Sequence, residues 1–130
     1  MQKEIILNGN SFSSLKEFYD EVERKFTQGL DWKIGRNLDA FNDVLRGGFG
    51  VHEYQEEIVI RWKFSEKSKS DLGKSQTTRY LKEKLERCHP SNRAHVQDEL
   101  RAVNSGKGLF LFDTLVGIIQ QHEHITLRLE

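Results

Sequence analysis

The chain has 130 residues, 36% hydrophobic and 10% aromatic, which is enough to build the core of one compact domain. Lys+Arg equals Asp+Glu at 20 each, so bulk charge gives no reason to expect nonspecific attraction to nucleic acid or an anionic membrane. The single cysteine, Cys88, excludes an intrachain disulfide, and no apolar run approaches the roughly 18–20 residues needed to span a bilayer; a soluble cytoplasmic protein is expected.

In chain order, "KEIILN" (3–8) places Ile5, Ile6 and Leu7 in succession before Asn8-Gly9, the pattern of a buried strand ended by a turn. A helix is expected from about 14 to 27. Ser13 or Ser14 caps it, Glu17 stands in capping-box position, and Leu15, Phe18, Val22 and Phe26 form its apolar face. After "LDWKIG", Asn37 is a plausible cap for a second helix that Gly47-Gly48 stop. Leu38, Phe41, Val44 and Leu45 make its apolar stripe, and Asp39, Asn42, Asp43 and Arg46 fall outside it.

"EEIVIRWKF" (56–64) reads as a strand with Ile58, Ile60, Trp62 and Phe64 on one face. The polar stretch 65–76 suggests a short helix or loop, and 77–89 a helix broken by Pro90. Ser91 is the expected cap of a further helix to about 104. Residues 109–122 could begin as strand, but Leu111, Leu115, Ile118 and Ile119 favour a helix, and "HITLRLE" (124–130) alternates as a last strand. Strands separated by helices imply an α/β fold with a small, largely parallel sheet.

Charge is distributed unevenly: residues 1–57 hold 7 basic and 11 acidic side chains, and residues 58–130 hold 13 and 9. Several local patterns suggest chemistry without completing it. Gly73-Lys74-Ser75 follows a strand as a phosphate-binding loop would, but Ser68 stands where the first glycine is required, so a solvated loop is expected. His122 and His124 could share a strand face, yet nothing at ligand spacing completes a metal site, and surface histidines at a strand entrance are expected. Cys88 lies on the apolar side of its helix and reads as a core thiol. Trp32, Phe49 and Tyr54 fit a core better than an interface. No catalytic residue, cofactor or metal is assigned.

Asp39 and Asp43, one helical turn apart, repel each other at a cost of about 0.2–0.5 kcal/mol in an isolated helix. The run that holds them, "IGRNLDAFNDVLRGGF", resembles the "YGxNLDALWD" signature that opens the second helix of the barstar family, intracellular inhibitors of secreted ribonucleases. Gly35, Asn37, Leu38, Asp39, Ala40 and Asp43 are shared, and the flanking strands agree with it over roughly residues 3–65 and 109–129.

The resemblance implies a three-stranded parallel sheet flanked by helices in one domain, and residues at about 66–108 read as an extra helical hairpin inserted into that pattern before the last helix. It also implies an inhibitor, not an enzyme, that plugs the active site of a basic ribonuclease or nuclease-type toxin. Neither direct nucleic-acid binding nor membrane association belongs to that role. Asp43 matches the family's deepest acidic contact and Asp39 its other helix aspartate. Asn42, Arg46, Phe49, Lys33 and Ile34 are the candidate surrounding contacts.

Ile34 stands where the family has an aromatic, and Asn42 where it has tryptophan. The last helix offers Gly117, Gln120 and Gln121 near an acidic family position, which points to a different target cleft. The alternatives are a non-inhibitory interaction module on the same fold and a small hydrolase.

Overall fold

A computed structural model describes residues 3–27, 35–48 and 50–130. The elements run β1 (Lys3–Asn8), α1 (Leu15–Phe26), α2 (Leu38–Arg46), β2 (Ile58–Lys63), α3 (Ser65–Asp71), α4 (Lys74–Arg87), α5 (Arg93–Asn104), α6 (Leu111–Gln120) and β3 (Ile125–Leu129), with 3-10 turns at Gly9–Ser11 and Pro90–Asn92. The strands form one parallel sheet in the order β1-β2-β3, with Ile5 opposite Ile60 and Ile60 opposite Leu127. This is the α/β architecture expected from the sequence.

The core lies on one face of that sheet. Ile5, Leu7, Ile58, Ile60, Trp62 and Ile125 point into it and meet Phe18, Val22 and Phe26 of α1, Phe41, Val44 and Leu45 of α2, and Leu111, Phe112, Leu115 and Ile119 of α6. Each such side chain contributes about 1.5–3 kcal/mol on burial, so the sheet and these three helices form one cooperative unit. The opposite face carries Glu4, Arg61, Lys63, Thr126 and Arg128, none of them buried; Val59 alone is buried there.

Polar anchors fix the core's rim. Ser14 caps α1 by accepting from the Glu17 amide at 3.2 Å, and the Glu17 carboxylate accepts from the Ser13 amide at 2.9 Å. The buried Glu21 carboxylate accepts the Asn8 amide at 2.8 Å and pairs with Arg24 at 2.7 Å, tying α1 to the end of β1. Gly9 then lets the chain pass β2: a Cβ there would stand 2.6 Å from the Lys63 carbonyl and from Ser68 Oγ. Lys67 of α3 donates to the Gly9 and Phe12 carbonyls at 3.2 and 3.0 Å, closing the same corner.

Several boundaries differ from expectation. β2 ends at Lys63; Phe64 adopts a left-handed conformation (φ 56°), precedes α3 and is exposed, so it leaves the face assigned to it. Of the polar stretch 65–76, Ser65–Asp71 takes the helical alternative, and its buried residues are serines with partners: Ser65 Oγ donates to the Glu130 carbonyl at 2.9 Å, and Ser68 Oγ accepts the Trp62 indole N–H at 2.9 Å. α4 starts at Lys74, so Gly73-Lys74-Ser75 opens a helix instead of forming a loop.

Ser91 lies inside a 3-10 turn, and α5 begins at Arg93 with no side-chain cap. α6 begins at Leu111 with no strand before it. Its first amides are satisfied from elsewhere: Thr77 Oγ1 accepts from Leu111 at 2.8 Å, and the Leu72 carbonyl accepts from Phe112 at 3.1 Å.

α4 and α5 pack as a hairpin around a smaller apolar cluster of Leu81, Val96 and Val103, with partly buried Tyr80, Leu85, Leu100 and Phe110 against it. Cys88 is half-buried beside this cluster, its thiol directed at the Leu85 carbonyl at 3.6 Å. No described helix is long and apolar enough to cross a membrane.

Candidate partner-binding site

α2 is built from its cap outward. Asn37 is extended (φ −153°, ψ 169°), and its side-chain oxygen accepts the Ala40 amide at 2.7 Å, as the sequence suggests. Arg36, one residue earlier, bolts this end to α1. Its guanidinium reaches Asp20 at 2.6 Å and Glu23 at 2.7 Å, a role that sequence spacing did not reveal. Phe41, Val44 and Leu45 are buried beneath the helix, so the positions between them turn outward.

Asp39 and Asp43 both face solvent, Asp43 with 61% of its side chain exposed. Asp39 sits in the first turn, where the helix dipole favours an anion. Asp43 is bridged by Arg46 at 2.9 Å in the last turn. Asn42 is half-buried, and its side-chain oxygen accepts the Nε2–H of His122 at 2.7 Å. Lys33, Ile34 and Phe49, with Trp32, lie outside the described residues.

The exit from α2 turns sharply. Gly47 has φ 83°, and a Cβ there would come 2.8 Å from His52 Nε2, so the position needs glycine on both counts. Residues 50–56 fold back beneath the helix, with the Val51 amide donating to the Phe26 carbonyl at 2.9 Å and the Gln55 amide to the Arg46 carbonyl at 2.6 Å. This brings Tyr54 to the same end of the helix, 64% exposed, where the sequence suggested a core aromatic. Its position follows from backbone bonds between segments nine residues apart, which leave no periodic signal.

Three histidines meet under this end. His52 and His124 both donate Nε2–H to the Leu45 carbonyl, at 3.1 and 2.9 Å, and His122 holds Asn42. The His52 and His124 rings stack with centroids 6.5 Å apart, and those of His122 and His124 stand edge to face at 5.5 Å. His122 and His124 stand at the entrance to β3 as expected, but as half-buried fasteners of α2 and not as surface residues. Burial, above all, lowers the pKa of His52 despite the opposing pull of the Leu45 carbonyl. Burial and then the neighbouring His124 and Arg46 lower that of His122. No trio of His, Cys, Asp or Glu among the described residues is arranged to hold a metal ion.

Beside the Asp39 end, an open cleft of about 920 Å³ separates α1 and the start of α2 from α4. Tyr19, Tyr80, Arg79 and Arg87 line it. Tyr19 is nearly buried, and burial holds its hydroxyl far above the ordinary phenol range.

α2 thus presents two carboxylates on a helix whose underside, entry and exit are all fixed, an arrangement suited to charge-assisted bonds with Arg, Lys or His⁺. No curated protein matches the sequence. A family model described as "Barstar (barnase inhibitor)" matches residues 2–101, a span that covers β1 through most of α5, including the capped helix with its two aspartates. By that match the chain belongs to the Barstar family.

Proposed function

We propose that this protein is a non-enzymatic inhibitor that binds and blocks the active site of a basic ribonuclease or related nuclease toxin in the cytoplasm. The observation that carries the reading is the pair of outward carboxylates, Asp39 and Asp43, on the capped helix of a Barstar-family chain. Asp43 occupies the cationic phosphate site of the target and Asp39 flanks it. Arg46 and Asn42 border the contact with Lys33, Ile34 and Phe49, and Tyr54 joins them from the connector. The direct ligand is the enzyme, not its nucleic acid. Residues 66–108 are an addition within the same domain that thickens its helical layer.

The test is titration of the purified chain against a basic nuclease encoded beside it, following both binding and nuclease activity. Inhibition at one-to-one stoichiometry, weakened by salt, supports the reading. An Asp43→Ala variant that folds and still inhibits as well as wild type would sink it. A second reading, an interaction module without inhibition, draws on the Asp43–Arg46 bridge and the inward bond of Asn42, which occupy two of the helix's polar groups internally. Saturable binding of the nuclease with full residual activity would favour it.

A further inference from the structure

Two segments far apart in sequence, the connector after α2 and the turn before β3, place three imidazoles against the last turn of α2. The Leu45 carbonyl can only accept, so His52 and His124 each carry their proton on Nε2. His122 does the same toward the Asn42 oxygen. The neutral rings therefore use one nitrogen each to hold the helix, and the second proton must arrive at Nδ1.

For His52 that nitrogen is buried and has no hydrogen-bond partner. A proton there would place a cation in the core rim against Phe26, whose ring centroid is 5.9 Å away, with no acceptor to receive the new N–H. His124 stands beside both other rings, with centroids 6.5 Å from His52 and 5.5 Å from His122, and disfavours a charge on either.

The charges around the cluster leave little to offset this. Lys3 of β1 and Glu56 of the connector face His52 but pair with each other at 3.3 Å. On α2, Arg46 faces His122 and is paired with Asp43. Two features favour a charged His52 ring, the end of the α2 dipole at the Leu45 carbonyl and the Glu56 carboxylate, and burial outweighs both.

We propose that His52, His122 and His124 form an acid-released latch on the C-terminal half of α2: the neutral rings fasten residues 42–48, and protonation of His52 and His122 lets that segment open. Its effect on nuclease binding rests on the reading given under Proposed function; the latch itself belongs to the free protein.

The sign follows from linkage. The folded pKa values of His52 and His122 are depressed, so the open state binds more protons. Fastening is complete above the ordinary histidine value of about 6.5 and is lost as pH falls below it toward the lowered folded values.

The experiment is hydrogen exchange of the purified protein alone, read as protection factors from about pH 7.5 to about pH 5.5, alongside NMR titration of each imidazole. Protection at residues 42–48 is expected to fall by on the order of fivefold to tenfold across that range, in step with ring protonation, while β2 keeps its protection. In His52→Gln/His122→Gln, which retains side-chain N–H donors and removes both titrations, the fall should disappear.

Constant protection at 42–48 while the rings titrate overturns the proposal, as does an unchanged fall in the double variant or an equal loss across β2. Should the double variant not fold, the wild-type comparison of residues 42–48 with β2 decides alone. No partner enters the assay, so failure of the latch and failure of the inhibitor reading are separate results.

Discussion

Asp43 and Arg46 form an ion pair at 2.9 Å on the outer face of α2, with 61% and 49% of their side chains exposed. Solvent screens such a pair, so its contribution to folding is about 0–1 kcal/mol. Asp43→Ala should therefore shift the urea midpoint by less than about 1 kcal/mol equivalent while weakening nuclease binding by about 2–5 kcal/mol. Calorimetry at two salt concentrations, paired with denaturant melts, separates the two effects.

The Asn37 cap offers an independent check on how α2 is held. Its side-chain oxygen is the acceptor of the Ala40 amide, and alanine cannot replace it. Asn37→Ala is expected to cost about 0.5–2 kcal/mol of stability, and Asn37→Asp to recover most of it. Denaturant midpoints of the three proteins give the answer.

Ser68→Ala removes the acceptor of the buried Trp62 indole N–H in the middle of the core. The orphaned donor should destabilise the protein by about 1–3 kcal/mol, a large effect for the loss of one oxygen atom. Equilibrium unfolding measures it, and a loss below a few tenths would mean that another acceptor takes over.

Thr77 tests whether the α4–α5 hairpin is part of the same structural unit as the sheet. Its hydroxyl donates to the Gly73 carbonyl at 2.7 Å and accepts the Leu111 amide at 2.8 Å, linking α4 to the start of α6. Thr77→Val keeps the shape and should cost about 1–3 kcal/mol through the unsatisfied Leu111 amide. Calorimetry should still show a single transition, lowered in temperature; a separate early transition for α4 and α5 would mean that the hairpin unfolds on its own.

High pH should act on Tyr19. Burial first, and then the neighbouring Tyr80, raise its pKa, so the folded chain keeps the proton that an unfolded chain loses near pH 10. Stability from this group is complete below that pH and is lost as pH rises above it. Phenolate absorbance should therefore lag behind that of an ordinary tyrosine and rise together with unfolding, and Tyr19→Phe should flatten the alkaline slope.

The features legible in the sequence are those whose cause is local. Asn37, the Ser14–Glu17 cap and the spacing of Phe18, Val22 and Phe26 act within one helix, so residue type and interval reveal them. Ile5, Leu7 and Ile58 to Trp62 were readable as strands because their burial alternates or runs unbroken. Phe64 misled because apolar alternation continues through it while the backbone turns left-handed to start α3. The helix at Ser65–Asp71 carries no apolar stripe because its buried positions are serines serving distant groups.

The candidate site divides in the same way. Asp39 and Asp43 could be found from a short run of residues, and their outward placement follows from the apolar positions between them. The histidine cluster could not, since His52 and His124 are 72 positions apart and meet only through their shared carbonyl. Asn42 looked like an exposed contact on helical spacing alone, and only the turn before β3 shows that His122 claims its oxygen.

The strand order has a consequence for synthesis. β2 lies between β1 and β3, yet β3 follows it by more than 60 residues, with α3 to α6 in between. On the ribosome, β1 and β2 can pair early, but one edge of β2 stays open until β3 emerges. The hairpin of α4 and α5, whose contacts are mostly local, can form during that wait. Translation pauses before β3 would prolong exposure of an apolar strand edge, so the period of greatest aggregation risk lies between the emergence of β2 and that of β3.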